Sequence, residues 1–287
     1  MPVLYVVATP IGNLEDISLR ALRVLREVKL IAAEDTRGTR KLLNTYGIRT
    51  PLTSFHEYSS GAKVERLVHE LEKKDIALVS EAGMPGISDP GYALIHAAIN
   101  SGVPVVAVPG PSALTAALAV SGLNTEQFTF LGFLPRRSTD RRRLLKSVAN
   151  ETRTLVTFEA PHRLRKALSD ILDILGDRRM AVCRELTKVH EEVFRGTVSE
   201  AMEHFNRPRG EFTLVIAGLV HSKGREISPE VEAELRRLKA RGLRAKEVAS
   251  RVSEKTGLSK RKLYEAVQRL SKSQEEAINA SRLYRNQ

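Results

Sequence analysis

Apolar residues in the first 120 positions come in short runs, separated by stretches of helical period. The runs 3–8, 30–33, 52–55, 76–79 and 103–108 are short and bounded by polar or turn-forming residues, as expected of buried strands. Between them, Ile17, Ala21, Val24, Leu25 and Val28 recur at helical spacing, and 39–46, 63–71, 93–99 and 113–121 read as further helices. Asp16 is the expected N-cap of the first helix; Asp89, followed by Pro90, is that of the helix at 93–99. Strand and helix in alternation imply an α/β domain over 1–121, with a mainly parallel sheet covered on both faces.

Beyond residue 121 the rhythm changes. Strands are expected at 128–131, 154–158, 180–184, 192–195 and 212–217, with longer helices at 161–175 and 198–205. This describes a second α/β domain of mixed sheet over 122–227, joined through a hinge at 121–127. From 228 to 287 the pattern is helical throughout. Val231, Leu235 and Leu238 share one face, and Ala245, Val248, Ala249 and Val252 another. The turn at 256–258 precedes Leu263, Val267 and Leu270. Helix, glycine turn and basic helix outline a helix-turn-helix; a small helical cap would share the pattern.

Charge adds a partner to this picture. The 287 residues carry a net +12, and the last 60 hold 15 Lys and Arg against 8 Asp and Glu, a net +7. A second basic concentration comprises Arg136, Arg137, Arg141, Arg142, Arg143 and Lys146. Two separate clusters point to a polyanion, and nucleic acid is the expected one. Composition narrows the rest. Hydrophobic residues make up 42%, which excludes wholesale disorder, and the single Cys183 excludes internal disulfides and a cysteine metal cluster. The apolar run at 3–8 is too short for a signal peptide, and no stretch reaches membrane-spanning length, so a cytoplasmic protein is expected.

Candidate chemistry centres on 80–92, S-E-A-G-M-P-G-I-S-D-P-G-Y, which leaves the carboxyl end of the strand at 76–79. Loops at that end of a parallel sheet are where open α/β folds bind small molecules. The loops 9–13, 34–37, 54–57 and 109–112 follow strands of the same domain and would gather on the same rim. No G-x-x-x-x-G-K-[ST], H-E-x-x-H or G-x-S-x-G string occurs, nor a G-x-G-x-x-G after the first strand. The usual nucleotide, zinc-protease, hydrolase and dinucleotide readings lose their support.

The strings L-Y-V-V-A-T-P-I-G-N-L (4–14), A-A-E-D-T-R (32–37), S-F-H-E (54–57), G-I-S-D-P-G-Y (86–92), P-G-P-S-A-L (109–114), E-A-P-H-R (159–163) and R-E-L-T-K (184–188) occur in this order. Together they resemble, over nearly the whole chain, the bacterial methyltransferases that modify a cytidine ribose 2′-hydroxyl in small-subunit ribosomal RNA. These have the tetrapyrrole-methylase-like fold. The resemblance implies S-adenosylmethionine bound between two α/β domains, a homodimer, and small-subunit ribosomal RNA or the small ribosomal subunit as partner. For the cofactor it implicates Pro10, Glu81, Gly83, Ile87, Asp89, Ser112, Ala113, Leu186, Phe212 and Thr213. Backbone groups of 83–88 and 112–113 would serve its amino-acid end and ribose, and Leu186 with 212–214 its adenine.

A ribose hydroxyl is a poor nucleophile and benefits from a positioned base. Glu34, Asp35, Glu159 and Glu185 are the acids in reach of that role, with Arg37 and Lys188 expected on phosphates. Arg136, Arg137, Arg141, Arg142, Arg163, Lys260, Arg261 and Lys262 are the expected RNA contacts. At one loop the chain departs from the family's S-D-A-G-T-P: Glu81 keeps the charge at longer reach, and Met84 lacks the threonine hydroxyl. Backbone contacts at Gly83 and Ile87 are expected to survive the change. Two other readings share these features, a tetrapyrrole or other small-molecule methylase of the same fold and a cofactor-sensing nucleic-acid-binding regulator.

Overall fold

The computed structural model describes residues 2–220 and 227–270. Residues through Gly218 form one compact unit and those from Leu219 a second. Five strands of the first unit, β1 (Leu4–Val7), β2 (Leu30–Ala33), β3 (Leu52–Ser54), β4 (Ile76–Val79) and β5 (Val105–Val108), pair in the order β3-β2-β4-β1-β5. Every pairing is parallel. The central strand β4 is buried at all four positions because helices cover both faces, which is why it reads as a continuous apolar run. On one face α1 (Leu19–Glu27) and α2 (Thr36–Thr45) pack Leu25, Leu42 and Leu43 against Ile31 and Val79. On the other, α3 (Gly61–Leu71) and α4 (Tyr92–Asn100) pack Leu67, Leu71 and Leu94 against Leu4, Ile76 and Leu78.

Helix α5 (Ala113–Ser121) follows β5 but gives its apolar side to a second sheet. Ala117 and Leu118 cluster with Val156, Ala181, Cys183 and Val215. That sheet contains β6 (Phe128–Phe133), β7 (Thr154–Glu159), β8 (Arg179–Arg184), β9 (Glu192–Thr197) and β10 (Phe212–Ile216), ordered β6-β7-β10-β8-β9. Only β6 and β7 run parallel; the remaining pairs are antiparallel. Its far face is covered by α6 (Ser138–Ser147), α7 (Pro161–Leu175) and α8 (Val198–His204), around Leu155, Met180, Val182, Leu214 and Ile216. Alternate residues of one strand thus enter different cores, the period of two expected of a sheet buried on both sides.

The second unit holds α9 (Pro229–Ala240), capped by Ser228, α10 (Ala245–Thr256), ended by Gly257 in the left-handed region, and helical residues 260–270. Leu235, Val248, Val252, Leu263 and Val267 form its core. Residues 271–287 of the expected helical segment lie outside the described residues.

Two local expectations are corrected, and one helix appears where none was assigned. Asp16 caps nothing: it lies in a short 3-10 turn begun by Asn13, and Ser18 Oγ accepts the Ala21 N–H at 3.1 Å to start α1. Asp89 does not cap α4, because Gly91 occupies that position at φ 152°, which no capping side chain could follow. The basic stretch after 137 is helical: α6 buries Leu145 and one of its own arginines.

Candidate functional site

The carboxyl ends of β1, β2 and β4 open into a cavity of about 360 Å³ between the two sheets, within the size range of small-molecule sites. The first sheet contributes Ile11, Glu34, Glu81, Met84, Ile87 and Asp89, and the start of α5 adds Ser112 and Ala113. The second contributes Phe133, Phe158, Cys183, Leu186 and Thr213. Phe158 and Cys183 both pair with Thr213 across neighbouring strands, so the three side chains emerge on one face.

The loop 80–91 is tied down from behind. The Thr9 N–H donates to Gly83 O at 2.9 Å, and the Gly83 N–H returns the bond to Thr9 O at 3.0 Å. Gly83 makes this turn at φ +80°, a conformation that any side chain would strain. Among the described residues three that are not glycine are also left-handed: Ser88 in this loop, and Glu185 and Thr187 in the loop that follows β8. Such conformations cost of order 1 kcal/mol or more and collect where surrounding contacts enforce them. Here the Asn13 N–H donates to Thr187 Oγ1 at 3.0 Å, and a Cβ on Gly12 would lie 2.5 Å from Lys188 Cγ. The loop after β1 therefore fits against the loop after β8 only with glycine at position 12.

Acidic groups set the cavity's electrostatics. Glu34 Oε2 accepts the Glu81 N–H at 3.2 Å, which brings two carboxylate-bearing residues to one wall. Burial, followed by the neighbouring Glu34, pushes Asp89 up to about 6. Glu81 is raised as well, by burial first and then by Glu34 and Asp35. On the opposite wall burial lifts the Cys183 thiol to about 11, so it remains protonated at neutral pH. A cation placed between these carboxylates would be attracted to all three.

Similarity to known proteins agrees with this geometry. Residues 3–202 match the family model of the tetrapyrrole (corrin/porphyrin) methylases. A chain from Halalkalibacterium halodurans called ribosomal RNA small subunit methyltransferase I is 46% identical over 273 residues, covering 91% of this chain and 93% of its own. One of the same description from Thermotoga maritima is 55% identical over 218 residues, 75% of this chain and 98% of the relative. The chain belongs to this family. It is a methyltransferase. Among solved structures, a diphthine synthase matches with a TM-score of 0.61 at 17% identity, covering 76% of this chain and 90% of that one. The uroporphyrin-III-C-methyltransferase from Thermus thermophilus matches with a TM-score of 0.52 at 21% identity, covering 77% and 97%. These two likenesses establish the tetrapyrrole-methylase fold.

The methyltransferase cavity gathers most of the residues expected at a cofactor: Glu81, Gly83, Ile87, Asp89, Ser112, Ala113, Leu186, Phe212 and Thr213 all line it. Several act differently from expectation. Pro10 is buried away from the cavity, and its neighbour Ile11 faces it. The Gly83 N–H is taken by Thr9 and the Ile87 N–H by Met84 O at 3.3 Å, so neither is a donor for a ligand. The Phe212 ring packs on Phe205, centroids 5.5 Å apart, in the core on the far side of the sheet. Residue 212 meets the cavity as backbone, because strand alternation turns its side chain away and that of Thr213 inward.

Among the candidate acids, Glu34 alone keeps its carboxylate at the cavity without a cationic partner among the described residues. Asp35 is spent as the cap of α2, accepting the Arg37 and Gly38 N–H groups at 2.8 and 3.1 Å. Glu159 shares the strand face of Leu155, opposite Phe158, and is buried against Arg163 at 2.5 Å. Burial leaves it raised despite that arginine and the Ala160 N–H. Glu185 binds the Glu211 N–H at 2.8 Å and Lys188 at 3.1 Å; burial pushes it up, but these partners outweigh burial and hold it low. Lys188 also reaches Glu211 at 2.9 Å, so it is engaged by two carboxylates rather than open to a phosphate.

The expected RNA contacts divide in the same way. Arg136 and Arg137 are exposed just beyond β6, whose Phe133 lines the cavity. Arg141 is instead buried and ion-paired to Asp170 at 2.6 Å, with the Pro135 and Arg136 carbonyls completing its fork. Arg142 is bound by Asp170 and Asp173 at 2.5 and 3.0 Å, and Arg163 by Glu159. In the second unit Lys260 and Arg261 are exposed, Arg261 beside Glu265 at 3.0 Å, and Lys262 is half-buried. Sequence reasoning did not single out Phe133, Phe158 or Cys183 as cavity residues. Their signal was the inward phase of β6, β7 and β8, legible only with the orientation of the sheet known.

Proposed function

We propose that this enzyme transfers a methyl group from S-adenosylmethionine to the ribose 2′-hydroxyl of a cytidine in small-subunit ribosomal RNA. The observation that carries the reading is the 46% identity, over more than nine-tenths of both chains, to a ribosomal RNA small subunit methyltransferase. The cavity suits the cofactor. Glu34, Glu81 and Asp89 offer negative charge to a cationic sulfonium and ammonium. The first turn of α5 at Ala113 offers peptide N–H groups to a carboxylate; the Ser112 side chain does not cap them. Phe158, Leu186 and Thr213 offer an apolar slot with one hydroxyl for the base.

When bound, the cofactor supplies an electrophilic methyl group. The chain's own residues position the acceptor, and Glu34 is the group placed to orient or take the hydroxyl proton. Arg136 and Arg137 lie where flanking phosphates would approach, and Lys260 and Arg261 of the helical unit add cationic surface. Exposed Tyr92 and Ile99 on α4, next to the outer edge of β5, support assembly as a homodimer. No helix among the described residues is long and apolar enough to cross a membrane, and we place the enzyme with its ribosomal substrate in the cytoplasm.

Transfer of labelled methyl from S-adenosylmethionine tests the proposal. Small ribosomal subunits, naked small-subunit RNA and a porphyrin precursor are compared, and the RNA product is digested to nucleosides. Label in 2′-O-methylcytidine is the expected result. Label in the porphyrin alone would overturn it.

A further inference from the structure

Helix α2 keeps its cations on one side. Arg37, Arg40, Lys41 and Asn44 stand at i, i+3, i+4 and i+7, while Thr39, Leu42 and Leu43 face the core. All four are exposed and, with Thr36 and Thr45, border a shallow open hollow. The row is about 10 Å long at the helical rise of 1.5 Å per residue.

The three cations also lack partners among the described residues. Among the described residues no ion pair or side-chain hydrogen bond holds the Arg37, Arg40 or Lys41 head group. Carboxylates neutralise several other basic side chains where they stand: Arg141 and Arg142 by Asp170, Arg163 by Glu159, Lys188 by Glu185 and Glu211, Arg236 by Glu232. Like charges at i+3 and i+4 repel one another, so α2 carries a standing electrostatic cost that an external anion would relieve.

Position makes the row relevant to the reaction. The helix starts at Thr36, two residues after Glu34 of the cavity wall. Strand β3 lies beside β2, with Ser54 opposite Ala33 and the Phe55 N–H bonded to Ala33 O at 2.7 Å. The loop after β3 therefore leaves the same rim as α2, and it carries Tyr58, 88% exposed. A compact acid would call for converging cations in an enclosed site. A linear row of cations with an exposed ring nearby suits a strand with repeating phosphates and stackable bases.

We infer that α2 docks the single-stranded RNA next to the reactive nucleotide: Arg37, Arg40 and Lys41 hold phosphates, and Tyr58 stacks on a flanking base. This rests on the ribosomal-RNA reading above. The test uses the full chain and a small-subunit RNA fragment, comparing wild type with Arg40→Gln/Lys41→Gln and with Tyr58→Ala. RNA affinity is measured across a salt series, alongside S-adenosylmethionine affinity and melting temperature.

The double variant is expected to bind RNA at least tenfold more weakly, with the log–log salt slope shallower by about 1.4 for two lost single-strand phosphate contacts. Tyr58→Ala is expected to lose about tenfold in affinity at an unchanged slope. Cofactor affinity should match wild type in both, and melting temperature should be no lower than wild type. Wild-type RNA affinity and slope in the folded double variant would overturn the α2 assignment. A wild-type enzyme that binds no small-subunit RNA would instead overturn the substrate reading.

Discussion

Thr9 and Gly83 exchange backbone hydrogen bonds of 2.9 and 3.0 Å across 74 positions of sequence, locking the loop after β4 to the loop after β1. The lock fixes one wall of the cavity through backbone groups and uses no side chain of the loop. It also removes the Gly83 N–H from the donors available to a ligand.

Gly83→Val should break the lock. A β-branched residue at φ +80° costs roughly 1–2 kcal/mol and displaces the loop. The expected outcome is a melting temperature a few degrees lower and at least tenfold weaker cofactor binding, read by thermal unfolding and titration calorimetry. Wild-type cofactor affinity would show that the loop does not shape the site.

Asp89 makes the stability of the ligand-free protein depend on pH. Its folded value of about 6 lies above the ordinary 3.8, so the folded state binds the extra proton between those values. Stability therefore falls as pH rises through this window, and the penalty is complete above about pH 7. Asp89→Asn should stabilise the ligand-free protein by roughly 1–2 kcal/mol at pH 8, after allowance for solvent screening, and by nothing below about pH 4. Denaturant unfolding at the two pH values checks the sign. A variant equally stable relative to wild type at both would refute the assignment.

Glu34→Gln retains the shape of the cavity wall but removes the carboxylate proposed to orient or take the hydroxyl proton. At saturating cofactor, turnover should fall by a factor of about 10² to 10⁴, beyond any loss of cofactor affinity that the removed charge brings. Single-turnover methyl transfer, with cofactor affinity measured separately, distinguishes this from a binding defect. Full turnover would exclude Glu34 and direct attention to Asp89.

Asp170→Ala should be the most damaging of these changes to the fold. It strands the Arg141 guanidinium, 5% exposed, without its carboxylate, at a cost of about 3–5 kcal/mol. The Arg141→Ala/Asp170→Ala double variant should recover part of that loss. A double-mutant cycle in urea provides the coupling, and strictly additive losses would show that the pair contributes nothing.

The sequence by itself determined much of this protein. Runs such as 76–79, wholly apolar because β4 is buried on both faces, revealed the parallel sheet and the rim where its loops gather. Motif strings revealed the family, and the loop 80–91 was recognisable as a site because Gly83, Pro85 and Gly86 permit a turn that few residues make. Tertiary structure decided which polar groups remain free to act. Glu34 and Asp35 are adjacent, yet one faces the cavity and the other is consumed by a helix start. Arg141 reads like Arg136 in a basic run, yet its place on α6 buries it against Asp170, while Arg136 lies exposed before the helix starts. The cations of α2 are four residues apart or fewer in sequence, but only the folded chain shows that among the described residues no ion pair engages their head groups. Local sequence encodes what a residue can do, because covalent chemistry and backbone preference travel with it. Its solvent and partners come from distant segments, and only the folded chain brings those together.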